Sequence, residues 1–284
     1  MIFRLVLIVV FVANPLFARE RTVTREELKD RITAFWYGQL VGNYMGFPFE
    51  GVFVEEPIPI LVDRIYTWAD ADLITLNDND RRGFTPIVAE MFEGAFADDD
   101  TDIEFVTLHA VEKYGLDITY LEIAEMWKSH IKRKIWVANR TARDLMELCM
   151  VPPETGRKEN NKNWFQIDPQ LVNEIWSAFY PGMTNRATAR AEWGARITSD
   201  DWGVHPTIAY AVMYSAAFFV DDAEKLVELA YRRIPQEGPF HEGMTDVMRW
   251  YSENSDWRAC RKLIHDKYYR YQNGEFEAPV SVVS

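Results

Sequence analysis

Asp98, Asp99 and Asp100 stand side by side in the stretch FADDDTDIEF, followed by Thr101 and Asp102. Carboxylates this close repel one another and raise one another's pKa. One aspartate ahead of a helix is useful, because it accepts from free backbone N–H groups and complements the helix dipole. A third adds repulsion. A hard divalent cation would relieve it, since Mg²⁺ takes oxygen ligands and brings the opposite charge. On the residues alone, capping and a hard-cation site both remain open. Thr101 could add a hydroxyl, and Glu50, after GNYMGFPF, a further carboxylate.

The elements that must position these groups read as helices. Thr24 followed by Glu27 is a capping box, after which Ile32, Phe35, Trp36, Leu40 and Tyr44 recur at helical spacing. That helix carries Gly38, Gly42 and Gly46, four apart. Glycine costs about 1 kcal/mol against alanine inside a helix, so the stripe predicts a close-packed neighbour on that face. Residues 47–97 are irregular and proline-broken; NDNDRRG within them lacks the later ligands of a calcium loop and reads as a solvated turn. From Thr101 on, DIEFVTLHAVEKYG stops at Gly115. Further segments, among them TYLEIAEMWKSHIKRK, DPQLVNEIWSAFYPG and HPTIAYAVMYSAAFF, read as helical, and no run alternates as a strand would. The expectation is an all-α fold in a single compact multi-helix domain over residues 19–284.

Composition narrows the classes. The 284 residues are 48% hydrophobic and 14% aromatic, which predicts a substantial core. A net charge of −13 argues against a general nucleic-acid binder. Cys149 and Cys260 make neither a CxxC pair nor a zinc spacing, though one disulfide between them is open. Residues 1–18, with Arg4, an apolar run and Ala18, read as a secretory signal peptide, so the expected location is secreted or periplasmic, with no membrane association after cleavage. His109 and the other four histidines form no ligand spacing, no serine has a G-x-S-x-G setting, and most of the ten tryptophans are expected in the core.

Taken in order, GQLVGNYMGFPFE (Gly38 to Glu50), DDDTDIE and ITSDDWGVHPTIAYAVMYSAAFF resemble the ADP-ribosylglycohydrolases, also called the dinitrogenase-reductase-activating glycohydrolase type. The resemblance implies an all-α fold and a site for two Mg²⁺ ions. It places Asp98, Asp99 and Asp100 as the first group of metal ligands and Glu50 as the glutamate facing the metals. Glu50, Asp99 and Asp100 are then the catalytic set, and Asp102 is left as a helix-dipole residue. Asn43 stands where the family usually has aspartate. The family's late Asp-x-Asp-Thr or Asp-x-Asp-Cys motif has no counterpart, because the pairs in SDDWG and VDDAE read as helix starts.

The implied activity is Mg²⁺-dependent hydrolysis of N- or O-glycosidic ADP-ribosyl linkages on a small molecule or protein. With the late motif missing and the chain closing on APVSVVS, the expectation is a C-terminally incomplete or degenerate member with a weakened site, holding one ion or holding ions weakly. The alternatives are a non-catalytic ADP-ribose- or cation-binding relative, and a secreted all-α carbohydrate-active enzyme using two carboxylates without metal.

Overall fold

The computed structural model describes residues 22–49, 53, 56–59, 61, 63–70, 88–91, 93–94, 98–268, 271–272 and 275–276. The signal-peptide segment, the NDNDRRG turn, Glu50 and the APVSVVS run lie outside the described residues.

Eleven α-helices are described. The first, α1 (Arg25–Gly46), starts at the capping box expected of Thr24 and Glu27. The acidic helix α2 (Asp99–Tyr114) ends at Gly115, whose φ of 86° suits glycine. It buries Ile103, Thr107 and Ala110 along one face. Next come α3 (Tyr120–His130) and α4 (Val137–Glu147), the latter burying Ala138, Ala142 and Met146 at four-residue spacing. The segment expected to run helical through Lys134 stops at His130. Arg143, buried on α4, donates Nε to the carbonyls of Trp127 (3.1 Å) and Ile131 (3.0 Å) and Nη2 to that of Lys128 (3.0 Å). A cation there satisfies the last carbonyls of α3 and complements its dipole.

DPQLVNEIWSAFYPG, which reads as one helix, is two: α5 (Asp168–Leu171) and α6 (Ile175–Phe179). Asn173 Nδ2 donates to the carbonyl of Pro169 at 2.7 Å, and the N–H of Ile175 goes to Glu104 of α2 at 2.6 Å. Side chains thus replace the backbone ladder at the break. The rest of the chain forms α7 (Thr184–Ala195), α8 (His205–Ala217), α9 (Ala223–Arg233), α10 (Pro239–Glu253) and α11 (Trp257–Tyr268). A two-residue antiparallel ribbon then pairs Tyr271 with Phe276 and Gln272 with Glu275. So short a ribbon leaves the fold all-α.

The apolar sequence of α8 explains its place between α7 and α9. The main core joins Ile103, Trp127, Met146, Trp176 and Ala191 from α2, α3, α4, α6 and α7. Burying an indole of roughly 200 Å² stabilises the fold by about 5 kcal/mol. Only Trp127 and Trp176 of the tryptophans are that deep; Trp68, Trp136 and Trp257 are half exposed, against the expectation that most are core. The indole is large and seldom buries completely. Both cysteines are free thiols, Cys149 exposed and Cys260 buried.

Candidate active site

A cleft of about 640 Å³ opens between α1, the start of α2, the α5–α6 break and the end of α8. Arg31 Nη1 donates to the carbonyl of Phe218 at 2.6 Å, and Phe35 meets Tyr214 edge to face at 6.0 Å, so α1 is fixed as one wall. Gly38 and Gly42 line the cleft, and a Cβ added at Gly38, Gly42 or Gly46 would meet nothing within 4 Å. The stripe therefore does not seat a close-packed neighbour, as its spacing suggests; at Gly38 and Gly42 it leaves room for the cleft.

Asp98, Asp99 and Asp100 come together at the start of α2, each offering a carboxylate oxygen within 4.8 Å of the others. Capping accounts for one of them. Asp98 is the N-cap of α2, its Oδ1 accepting from the Asp100 N–H at 3.2 Å. Its Oδ2 accepts from Asn43 Nδ2 of α1. Asp98, Asp100 and Thr101 line the cleft. Burial, followed by the charges of Asp98 and Asp99, pushes the Asp100 carboxyl up to about 9. Asp102 is exposed in the first helical turn, as a dipole residue would be.

These residues fit a hard divalent cation. The donors are oxygens of three adjacent carboxylates, their charges raise the Asp100 carboxyl, and Asn43 Oδ1 is buried without a hydrogen-bond partner. That the oxygen is left over follows from chemistry, since only Nδ2 can donate to the Asp98 carboxylate.

Several residues of the cleft escaped the sequence reading. Glu174, at the α5–α6 break, lines it and accepts the Tyr214 hydroxyl at 2.9 Å. Glu104 lies behind, one turn after Asp100 on α2 and 0% exposed. Its Oε1 accepts the Ile175 N–H, while Oε2 has no partner; the Gln39 amide is near but stops short of hydrogen-bond geometry. Burial, then the Glu174 charge, pushes Glu104 up to about 8, and burial lifts Glu174 to about 7 against the pull of Tyr214. Asp168, also buried, accepts the Asn139 N–H at 2.8 Å and is lifted to about 6 by burial. The one sequence signal for Glu174 was Asn173, a poor residue for a helix interior.

Other candidates fall elsewhere. Asp200 and Asp222 cap the turn Asp201–Val204 and α9, as their positions predict. His109 is half exposed and packs edge to face on His130 at 5.2 Å, outside the cleft lining.

The family model described as ADP-ribosylglycohydrolase matches residues 24–278. No curated protein and no solved structure matches the chain.

Proposed function

The chain belongs to the ADP-ribosylglycohydrolase family, and from that premise we propose that it is a Mg²⁺-dependent hydrolase of ADP-ribosyl linkages working in the cleft between α1 and α2. Glycoside hydrolysis and metal dependence are the family's general character. Mg²⁺, the residues that hold it, and the N- or O-glycosidic linkage to a small molecule or protein are our reading for this chain. The observation that carries it is the acidic triad, two of whose members, Asp98 and Asp100, line a cleft large enough for a nucleotide.

Asp98, Asp99 and Asp100 hold the cation, with Thr101 and Glu50 as further oxygen donors. Bound there, Mg²⁺ would orient the ribose hydroxyls and lower the pKa of a water. The protein does the rest. Arg31 offers positive charge to the diphosphate, and Phe35 and Phe218 offer apolar faces to the adenine or ribose. Glu50 accepts the proton of the attacking water as the anomeric carbon develops oxocarbenium character. Export through residues 1–18 would place the substrate outside the cytoplasm.

Calorimetry with MgCl₂, then with ADP-ribose, tests the reading. Mg²⁺ heat that Asp99→Asn/Asp100→Asn abolishes at unchanged helical content, and ADP-ribose binding that needs Mg²⁺, are expected. Nucleotide binding indifferent to Mg²⁺ and to the double substitution would contradict it. Glu50→Gln should lower turnover more than nucleotide affinity.

A further inference from the structure

Resting on that functional reading, we propose that Glu174 is a catalytic residue of the cleft: the general acid that protonates the leaving group, aimed by the Tyr214 hydroxyl and by the break between α5 and α6.

The local structure singles Glu174 out. Asn173 and Ile175 on either side are buried, while Glu174 is only partly covered and lines the cleft. A helix continuing through the segment would have set its side chain by the ladder. Instead, the Asn173 amide closes α5 and Glu104 takes the first N–H of α6, so the backbone at position 174 is fixed from both sides. Tyr214, from α8, then holds Oε1 at 2.9 Å. A carboxylate tethered at one oxygen keeps the other for a ligand.

The surroundings favour a protonated carboxyl. Sharing the cleft with Glu174 are Arg31 from α1, Asp98 and Asp100 from α2 and Tyr214 from α8, and its charge also reaches Glu104 from α2 and Tyr210 from α8. Arg31 is the one cation among these, and its guanidinium already donates to Phe218. Glu104 behind it is fully buried, with one oxygen lacking any partner. Two carboxylates so placed hold one proton between them near neutrality, and Glu174 is the member of the pair that lines the cleft and can deliver it there. Separately, the family-type acids Asp98, Asp99 and Asp100 are committed to capping and cation binding, which leaves the cleft in need of a proton donor.

The step balances as follows. The bond from the anomeric carbon to the leaving nitrogen or oxygen breaks. That atom takes its electron pair and the Glu174 proton. The anomeric carbon bonds to the water oxygen, the water proton passes to solvent, and Glu174 regains a proton from solvent. The sum is addition of one water.

The full chain, with ADP-ribose conjugated either to a serine-type alkyl hydroxyl or to nitrophenol, supplies the test. Nitrophenolate leaves without protonation and the alkoxide does not. Glu174→Gln is expected to lose about 100-fold or more in kcat on the alkyl conjugate and less than about 5-fold on the nitrophenyl one, with Mg²⁺ heat and helical content retained. Tyr214→Phe keeps the acid but removes a donor to its ionised form, so the pKa of Glu174 rises. A general acid works below its pKa, so the basic limb of the pH–rate profile should move to higher pH. Equal losses on both conjugates, loss of Mg²⁺ heat in Glu174→Gln, no loss at all, or a basic limb that stays put in Tyr214→Phe would each overturn the assignment. Wild-type protein that hydrolyses neither conjugate would overturn the functional reading, and the role of Glu174 with it. Should Glu174→Gln fail to fold, the Tyr214→Phe limb decides.

Discussion

Asn43 donates its side-chain amide to Asp98, joining the glycine-striped helix to the cap of the acidic one. The bond spans 55 residues of sequence and sets the two walls of the cleft against each other. It also uses the one group that distinguishes an asparagine from an aspartate here. An aspartate would bring a carboxylate against Asp98 where the amide now neutralises part of its field.

That contrast gives the first prediction. Asn43→Asp should destabilise the metal-free protein by about 1–3 kcal/mol, through loss of a donor and gain of a repulsive charge. It should also tighten Mg²⁺ binding about tenfold or more, because carboxylate count raises affinity. Thermal melts with and without MgCl₂ check both signs. A variant that melts lower by the same amount in either condition would mean that position 43 does not face the cation.

Gly42 provides a test of the cleft itself. A Cβ there meets nothing within 4 Å, so Gly42→Ala should gain helix propensity, about 0.5–1 kcal/mol, with no steric cost. Gly42→Leu should keep that stability yet weaken ADP-ribose binding by about tenfold or more as the side chain enters the cleft. Denaturant melts and calorimetry separate the two effects. Lower stability in Gly42→Ala would show that something packs on the stripe after all.

Glu104 ties stability to pH. Its folded-state carboxyl is raised, to about 8, chiefly by burial and by the Glu174 charge. A raised carboxyl contributes stability below its unfolded pKa near 4.5, and that contribution is lost as pH rises through about 8. Glu104→Gln cannot ionise. Relative to wild type it should gain stability between pH 5 and pH 8, by roughly 1 kcal/mol per pH unit. Urea melts at several pH values measure the slope, and parallel curves would refute the buried proton.

How legible each part was in the sequence follows the range of the interactions that make it. The capping box at Thr24, the stop at Gly115 and the caps at Asp200 and Asp222 depend on residues within a turn of one another, and the sequence announced them. The acidic triad was visible for the same reason. Glu174 was not, because the break that presents it depends on Glu104 accepting an N–H 71 residues away. The stop of α3 at His130 was hidden likewise, since Arg143 on the next helix provides it. The glycine stripe was seen but misjudged: spacing shows that side chains are missing from a face, and only the fold shows whether a neighbour or a cleft occupies it.

The central claim is that this cleft hydrolyses an ADP-ribosyl linkage with Mg²⁺ held by Asp98, Asp99 and Asp100. The most direct measurement is release of free ADP-ribose from arginine- and serine-linked conjugates, with MgCl₂, with chelator, and with Mg²⁺ restored. Release from at least one conjugate is predicted, abolished by chelator, recovered on adding Mg²⁺, and reduced about 100-fold or more in Asp99→Asn/Asp100→Asn. Release that continues in chelator, or that the double substitution leaves intact, would contradict the account.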